Sequence, residues 1–207
     1  MKTLSILSQK GGTGKTNTAV NLAVASQLAG HPTALIDLDP QASAAKWGDR
    51  REGNAPDVFS AHASRLKETL YAAEQKGVTL AIIDTAPSTD PSLLNVAKSS
   101  DLALIPCRPG MFDSEAIQST ILITEMAQIP VRILFNAVRA NSSLIDEAKS
   151  AVEVYNVPFA PCMLGDRVTF TRSVIYGMNA QEYEPTGKAA SEVNALYKYV
   201  SKELEVL

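Results

Sequence analysis

Residues 5–25 read SILSQKGGTGKTNTAVNLAVA, and the fold follows from how this stretch divides. The run TLSILS (3–8) is apolar and strand-like, and residues 15–29 carry a helical pattern. Between them, Gly11, Gly12 and Gly14 lack a Cβ, so the backbone can turn tightly and aim successive N–H groups at phosphate oxygens. The helix begun by Lys15 adds the positive end of its dipole. A glycine-rich loop that follows a strand and opens a helix is the setting a phosphate-binding loop requires. Lys15 can reach the β- and γ-phosphates, and the Thr16 hydroxyl suits Mg²⁺. Thr13 and Asn17, inside and just after the loop, complete the expected nucleotide-binding set. The common pattern G-x-x-x-x-G-K-[ST] has glycine where this chain has Gln9, and a second lysine, Lys10, stands five residues before Lys15.

Outward from the loop, apolar runs alternate with helical patterns. TALID (33–37), TLAIID (79–84), LALIPC (102–107) and VRILFN (131–136) are strand candidates, with VPFAP (157–161) a weaker sixth. Several are apolar at nearly every position, as strands covered on both faces are. Helical stretches lie near 60–76, 90–99, 113–128 and 143–154, and again over 186–205, where Ala190, Val193, Leu196, Tyr197 and Val200 repeat at helical spacing. The expected fold is α/β: a doubly wound, mostly parallel sheet with helices on both faces, in a single domain over residues 1–207. RREGNAPDV (50–58) is the loopiest segment.

Two further motifs sit at strand ends, the edge where open α/β sheets bind ligands. In LIDLDPQ (35–41), Asp37 and Asp39 are two apart, so both carboxylates face one side of an extended chain. Together they can serve Mg²⁺ and orient an attacking water. LAIIDTAP (80–87) places Asp84 at the tip of a buried strand, the position of a Walker B carboxylate that holds Mg²⁺.

With 207 residues, 45% hydrophobic and 20% charged, the chain can bury a sizeable core. The net charge of −3 excludes a uniformly basic nucleic-acid binder but not a local basic patch. Cys107 and Cys162 lie in apolar stretches without metal-ligand spacing and read as buried thiols of a reducing compartment. No apolar run approaches the roughly 18 residues of a membrane span, and no leader is visible, so a cytoplasmic location is expected.

KGGTGKT, DLDPQ and IIDTAP, in that order, resemble the deviant Walker A ATPases of the ParA/MinD group, whose signature is the extra lysine matched by Lys10. FNAVRAN (135–141) is similar to the family's adenine-contacting strand end, which marks Asn136 as the base-reading residue. Residues 165–200 resemble the ParA tail, so the likeness covers nearly the whole chain and points to small plasmid-type partition ATPases. Asn17 replaces a frequent threonine, Ser88 stands where many relatives have glycine, and Ala180 replaces a frequent valine.

The resemblance implies a P-loop NTPase fold and a slow Mg²⁺-dependent ATPase working as an ATP-dependent sandwich homodimer. Asp39 would position the water and Asp37 would support Mg²⁺. Lys10, at the rim of the loop, would reach the partner's phosphates across the twofold axis, as an arginine finger acts in trans. The catalytic set is then Lys10, Lys15 and Asp39, with Thr16, Asp37 and Asp84 at the metal. A ParA-type output is nonspecific DNA binding on the nucleoid, with hydrolysis stimulated by a ParB-like centromere-binding partner. Arg167, Arg172, Lys188, Lys198 and Lys202 are the DNA-contact candidates. A DNA-reading helix-turn-helix would have to come from another protein. The alternatives are ParA-like positioning of another cargo, a MinD-type membrane-associated ATPase, or an amidating or carboxylating enzyme of the same fold. The chain end KYVSKELEVL mixes acidic with basic residues, which disfavours a membrane-surface helix.

Overall fold

The computed structural model describes residues 1–53, 55–87, 92–109, 114–139 and 144–206. The expected helix starts at 90–91, 113 and 143, Ser88, and the last two residues of the 135–141 motif lie outside those residues. Six strands form one sheet: β1 (Lys2–Ile6), β2 (Thr33–Asp37), β3 (Asp57–Ser60), β4 (Leu80–Asp84), β5 (Leu102–Cys107) and β6 (Val131–Phe135). Their spatial order is β3-β2-β4-β1-β5-β6, and every pairing is parallel. The helices are α1 (Lys15–Leu28), α2 (Ser43–Asp49), α3 (Leu66–Gln75), α4 (Ser92–Lys98), α5 (Ser114–Ala127), α6 (Leu144–Glu153), α7 (Val168–Ile175), α8 (Ala180–Tyr183) and α9 (Lys188–Glu203).

The near-continuous apolar strands are explained by two cores, one on each face. Leu4, Ile6, Leu35, Leu80, Ile82, Leu102 and Leu104 point to one side, where they meet α1 and the α9 residues Val193, Leu196 and Val200. The alternate residues Ile36, Ala81, Ile83 and Ala103 point to the other side, against Leu66 of α3 and Leu93, Val96 and Ala97 of α4. Helix α1 is buried nearly all round, from Thr18 to Ser26, because it lies between the sheet and α9. Strand β1 sits centrally: the chain leaves it towards β2 on one side, and later crosses to β5 on the other. The ends of β1, β4 and β5 therefore frame the crevice where the strand order reverses.

The structure corrects several local expectations. Residues 157–161 form no strand; they contribute one isolated bridge, Ile133 to Phe159, because Pro158 and Pro161 remove donors from the ladder. Within the segment read as loop, Asp57–Ser60 adds the edge strand β3, four residues long, beside β2. The helix expected from residue 60 starts only at Leu66, after a short 3₁₀ turn at Ala63–Arg65. Helices α2, α7 and α8 add to the elements expected from the sequence.

Candidate functional site

The loop between β1 and α1 takes its shape from glycine. Gly12 and Gly14 have φ of 75° and 94°, a region that costs a residue with a Cβ about 1 kcal/mol or more. Gly14 is constrained a second time, since a Cβ there would stand 1.9 Å from Asn136 Nδ2. That amide donates to the Thr13 carbonyl at 2.7 Å, while Asn136 Oδ1 accepts from Ala137 N–H at 2.8 Å. Asn136, buried at the tip of β6, thus clasps the phosphate loop from the neighbouring strand end.

Lys15 opens α1 and is buried; its Nζ donates to the Lys10 carbonyl at 3.3 Å. Burial lowers its pKa, and the negative charges of Asp84 and Asp39 oppose that shift. Lys10 is half-buried at the rim, its main chain pinned by the Ser8 hydroxyl. The charge of Lys10 reaches Cys107, whose thiol burial pushes up to about 12.

Three carboxylates converge opposite Lys15. Asp37 and Asp84 end adjacent strands as direct register partners. Asp84 is fully buried, and burial pushes its pKa up to about 7. The Thr16 hydroxyl and Lys15 restrain that rise, whereas Asp37 and Asp39 add to it. The Thr16 hydroxyl is near enough to favour the ionised form, yet neither Asp84 oxygen has a well-formed hydrogen bond. A buried carboxylate without donors, beside a threonine hydroxyl and a lysine, fits a divalent cation. Thr13 Oγ1 is likewise buried without a partner.

Asp37 behaves differently. Its Oδ1 accepts from Asp39 N–H at 3.0 Å and its Oδ2 from Ala45 N–H at 2.9 Å, so it fixes the turn and the first residues of α2. Asp39 Oδ1 accepts from Gln41 N–H at 2.8 Å. No group of three or more His, Cys, Asp or Glu side chains that could hold a metal occurs among the described residues. A cation here would therefore draw the rest of its shell from phosphate oxygens and water.

Beyond Gly14 and Thr16 opens a cavity of about 410 Å³, walled by Asn136, Arg167, Phe170 and Val174 among others. Arg167, expected on a DNA-binding face, is half-buried here and paired with Glu192. Its Nε lies 3.0 Å from both carboxylate oxygens, and Glu192 Oε2 also accepts from Gly165 N–H at 3.0 Å. Arg172 on α7 and Lys188, Lys198 and Lys202 on α9 are exposed. Sequence reasoning missed Phe170 and Arg108 as cavity groups, and Glu192 as the partner of Arg167; an arginine directly after a buried strand was the one available signal.

The segment that follows α7, from Gly177 to Glu182, is tied to the end of α2 and to α1. Trp47 of α2 is fully buried and donates through Nε1 to the Met178 carbonyl at 3.1 Å. Arg51 donates to the Gly177 carbonyl at 2.8 Å and pairs bidentately with Glu182 at 2.6 and 2.9 Å. Gly177, with φ of 68°, lies against the neighbouring backbone; a Cβ there would stand 2.6 Å from the Arg50 carbonyl oxygen. Asn21 of α1 accepts from Ala180 N–H at 2.9 Å.

Comparison with known proteins points to one family of domains. A model of the CobQ/CobB/MinD/ParA nucleotide binding domain matches residues 4–180. The chain is 30% identical, over 99% of its length and 94% of the relative's, to the maintenance of carboxysome distribution protein A of Gloeobacter kilaueensis. It is 29% identical to protein ParA of Rhizobium radiobacter, over 67% of this chain and 63% of that one. In fold it is similar to the septum site-determining protein MinD of Pyrococcus horikoshii, solved with Mg-ADP: TM-score 0.75, 19% identity, 97% and 96% of the two chains covered.

Proposed function

That this chain belongs to the CobQ/CobB/MinD/ParA nucleotide-binding family is the premise from which we propose its function: a single-domain, Mg²⁺-dependent ATPase of the ParA type. ATP drives a sandwich homodimer that binds DNA without sequence preference, and a ParB-like partner stimulates hydrolysis to dissolve it. The observation that carries this reading is the convergence of Lys15 and the three carboxylates on one glycine loop. Thr16 and Asp84, supported by Asp37, would hold Mg²⁺, which when bound neutralises charge on the β- and γ-phosphates. Lys15 cradles the phosphates from within the same subunit. Asp39, half-buried at the turn that Asp37 fixes, positions the attacking water. Lys10, held at the rim by its main chain, completes the partner's site in trans. Arg172, Lys188, Lys198 and Lys202 supply the DNA face; Arg167, engaged with Glu192, serves the nucleotide cavity instead. The protein would act in the cytoplasm, on the nucleoid when ATP is bound.

A second reading concerns the cargo. The relative similar over 99% of this chain is named for carboxysome distribution, so the same switch could position a protein body as readily as a plasmid. The membrane-associated alternative loses support from α9. That helix spends its apolar face, Val193, Leu196, Tyr197 and Val200, on the core. Among the described residues no helix is long and apolar enough to cross a membrane.

The test is light scattering and DNA retardation with ATP and ADP in parallel. ATP alone should give a dimer that retards DNA, with binding that weakens steeply as salt rises. Lys10→Ala should still bind ATP but lose the dimer and slow partner-stimulated hydrolysis by roughly 10-fold or more. Lys15→Ala should lose tight ATP binding. An intact dimer and stimulation in Lys10→Ala would remove the trans role, and tight ATP binding by Lys15→Ala would remove the phosphate-loop reading.

A further inference from the structure

Arg108 is the first residue after β5, at the sheet edge between the phosphate loop that follows β1 and the tip of β6. The Asn136 N–H donates to the Cys107 carbonyl at 2.7 Å, so the Arg108 backbone is fixed beside the residue that clasps the loop. Its side chain lines the 410 Å³ cavity together with Gly14, Thr16 and Asn17. Arg108 Nε is buried, and none of the described residues accepts a hydrogen bond from it. Arg167, the other guanidinium of the cavity, has its acceptors supplied by Glu192.

An unpartnered donor on a permanent cation is costly when buried. Such a cost is relieved when a ligand brings the acceptor, and here the ligand on offer is an anion. Asn136 and Phe170 line the cavity together with Gly14 and Thr16 of the phosphate loop. Arg108 shares the cavity with both sets. We infer that Arg108 is a nucleotide-binding residue of the same subunit, its guanidinium donating to the α-phosphate of the bound nucleoside di- or triphosphate. Arginine suits this place because its planar fork keeps its charge and gives two aligned N–H donors to phosphate oxygens. The inference rests on the nucleotide-binding reading above and adds a contact that the phosphate-loop motif does not contain.

Because the α-phosphate is common to ATP and ADP, the role has a distinct signature. Titration calorimetry of the full chain with Mg-ATP and with Mg-ADP should show Arg108→Gln weakening both by about the same factor, roughly 10-fold or more, equivalent to about 1.4 kcal/mol. Arg108→Lys, which keeps the charge but lacks the buried Nε donor, should fall between the parent and the glutamine variant. Matching circular dichroism melts check that the variants fold; if Arg108→Gln does not, Arg108→Lys alone decides by losing several-fold for both nucleotides. Unchanged affinity, or a loss confined to ATP, would overturn the inference, the latter by moving the contact to the γ-phosphate. A parent chain that binds neither nucleotide would instead overturn the proposed function, so the two failures are separable.

Discussion

Asp84→Asn is expected to make the nucleotide-free protein more stable at pH 8 while removing its hydrolysis. In the folded chain the carboxylate is fully buried without a well-formed hydrogen bond, and its pKa rises from 3.8 to about 7. A rise of that size corresponds to a penalty on the order of 4 kcal/mol once the group is ionised. Below pH 3.8 the proton is bound in folded and unfolded chains alike, and no penalty exists. As pH increases towards 7, the unfolded chain ionises first and unfolding is favoured; above about 7 the penalty is complete. Asparagine cannot ionise, so the variant's melting temperature should exceed the parent's by roughly 8–16 °C at pH 8, with the gap closing as pH falls towards 4. If Asp84 holds Mg²⁺ as proposed, hydrolysis should drop roughly 10²-fold or more. Mg-ATP should accordingly raise the parent's melting temperature more than the variant's. Calorimetric melts across pH decide the matter, and a gap that does not change with pH would show that Asp84 stays ionised at no cost.

The second large effect is structural. Trp47→Ala should lower stability by about 3–5 kcal/mol, the range for emptying a buried aromatic site. Trp47 is fully buried, its indole N–H serves the Met178 carbonyl, and the Arg51 guanidinium lies 5.0 Å from its ring centre. The substitution removes all three contributions at once. Trp47→Phe retains most of the apolar volume and loses the donor, so it should cost about 1–2 kcal/mol. Urea unfolding followed by far-ultraviolet circular dichroism measures both. Values within about 1 kcal/mol of the parent for both variants would mean that α2 is not braced by the segment after α7.

These two residues also show what could be read before the fold was known. Asp84 was legible because a carboxylate after four apolar residues has no place in a core unless the strand ends there. The phosphate loop was legible because its glycines answer a local backbone demand. Helix α2 was not. Its seven residues, SAAKWGD, carry no repeating apolar face, and its start is set by Asp37 accepting from Ala45 N–H eight positions later. Strand β3 escaped notice because a four-residue edge strand needs only half its side chains apolar. Arg167 read as a surface charge because its partner, Glu192, is 25 positions away and arrives only when α9 packs on α1. Local pattern reveals what the backbone needs, whereas a pairing between distant helices becomes visible only in three dimensions.

The chain contains a single tryptophan, and its place gives the protein a native optical probe. Trp47 lies in a dry site on the helix that directly follows the aspartate turn, so its emission should be blue-shifted in the folded chain and move to the red on unfolding. Any rearrangement of that turn when nucleotide arrives or is cleaved would pass through Asp37 and Ala45 into α2 and alter the packing around the indole and the Arg51 cation above it. Stopped-flow fluorescence could then time the switch in unlabelled protein, against a background free of other indoles.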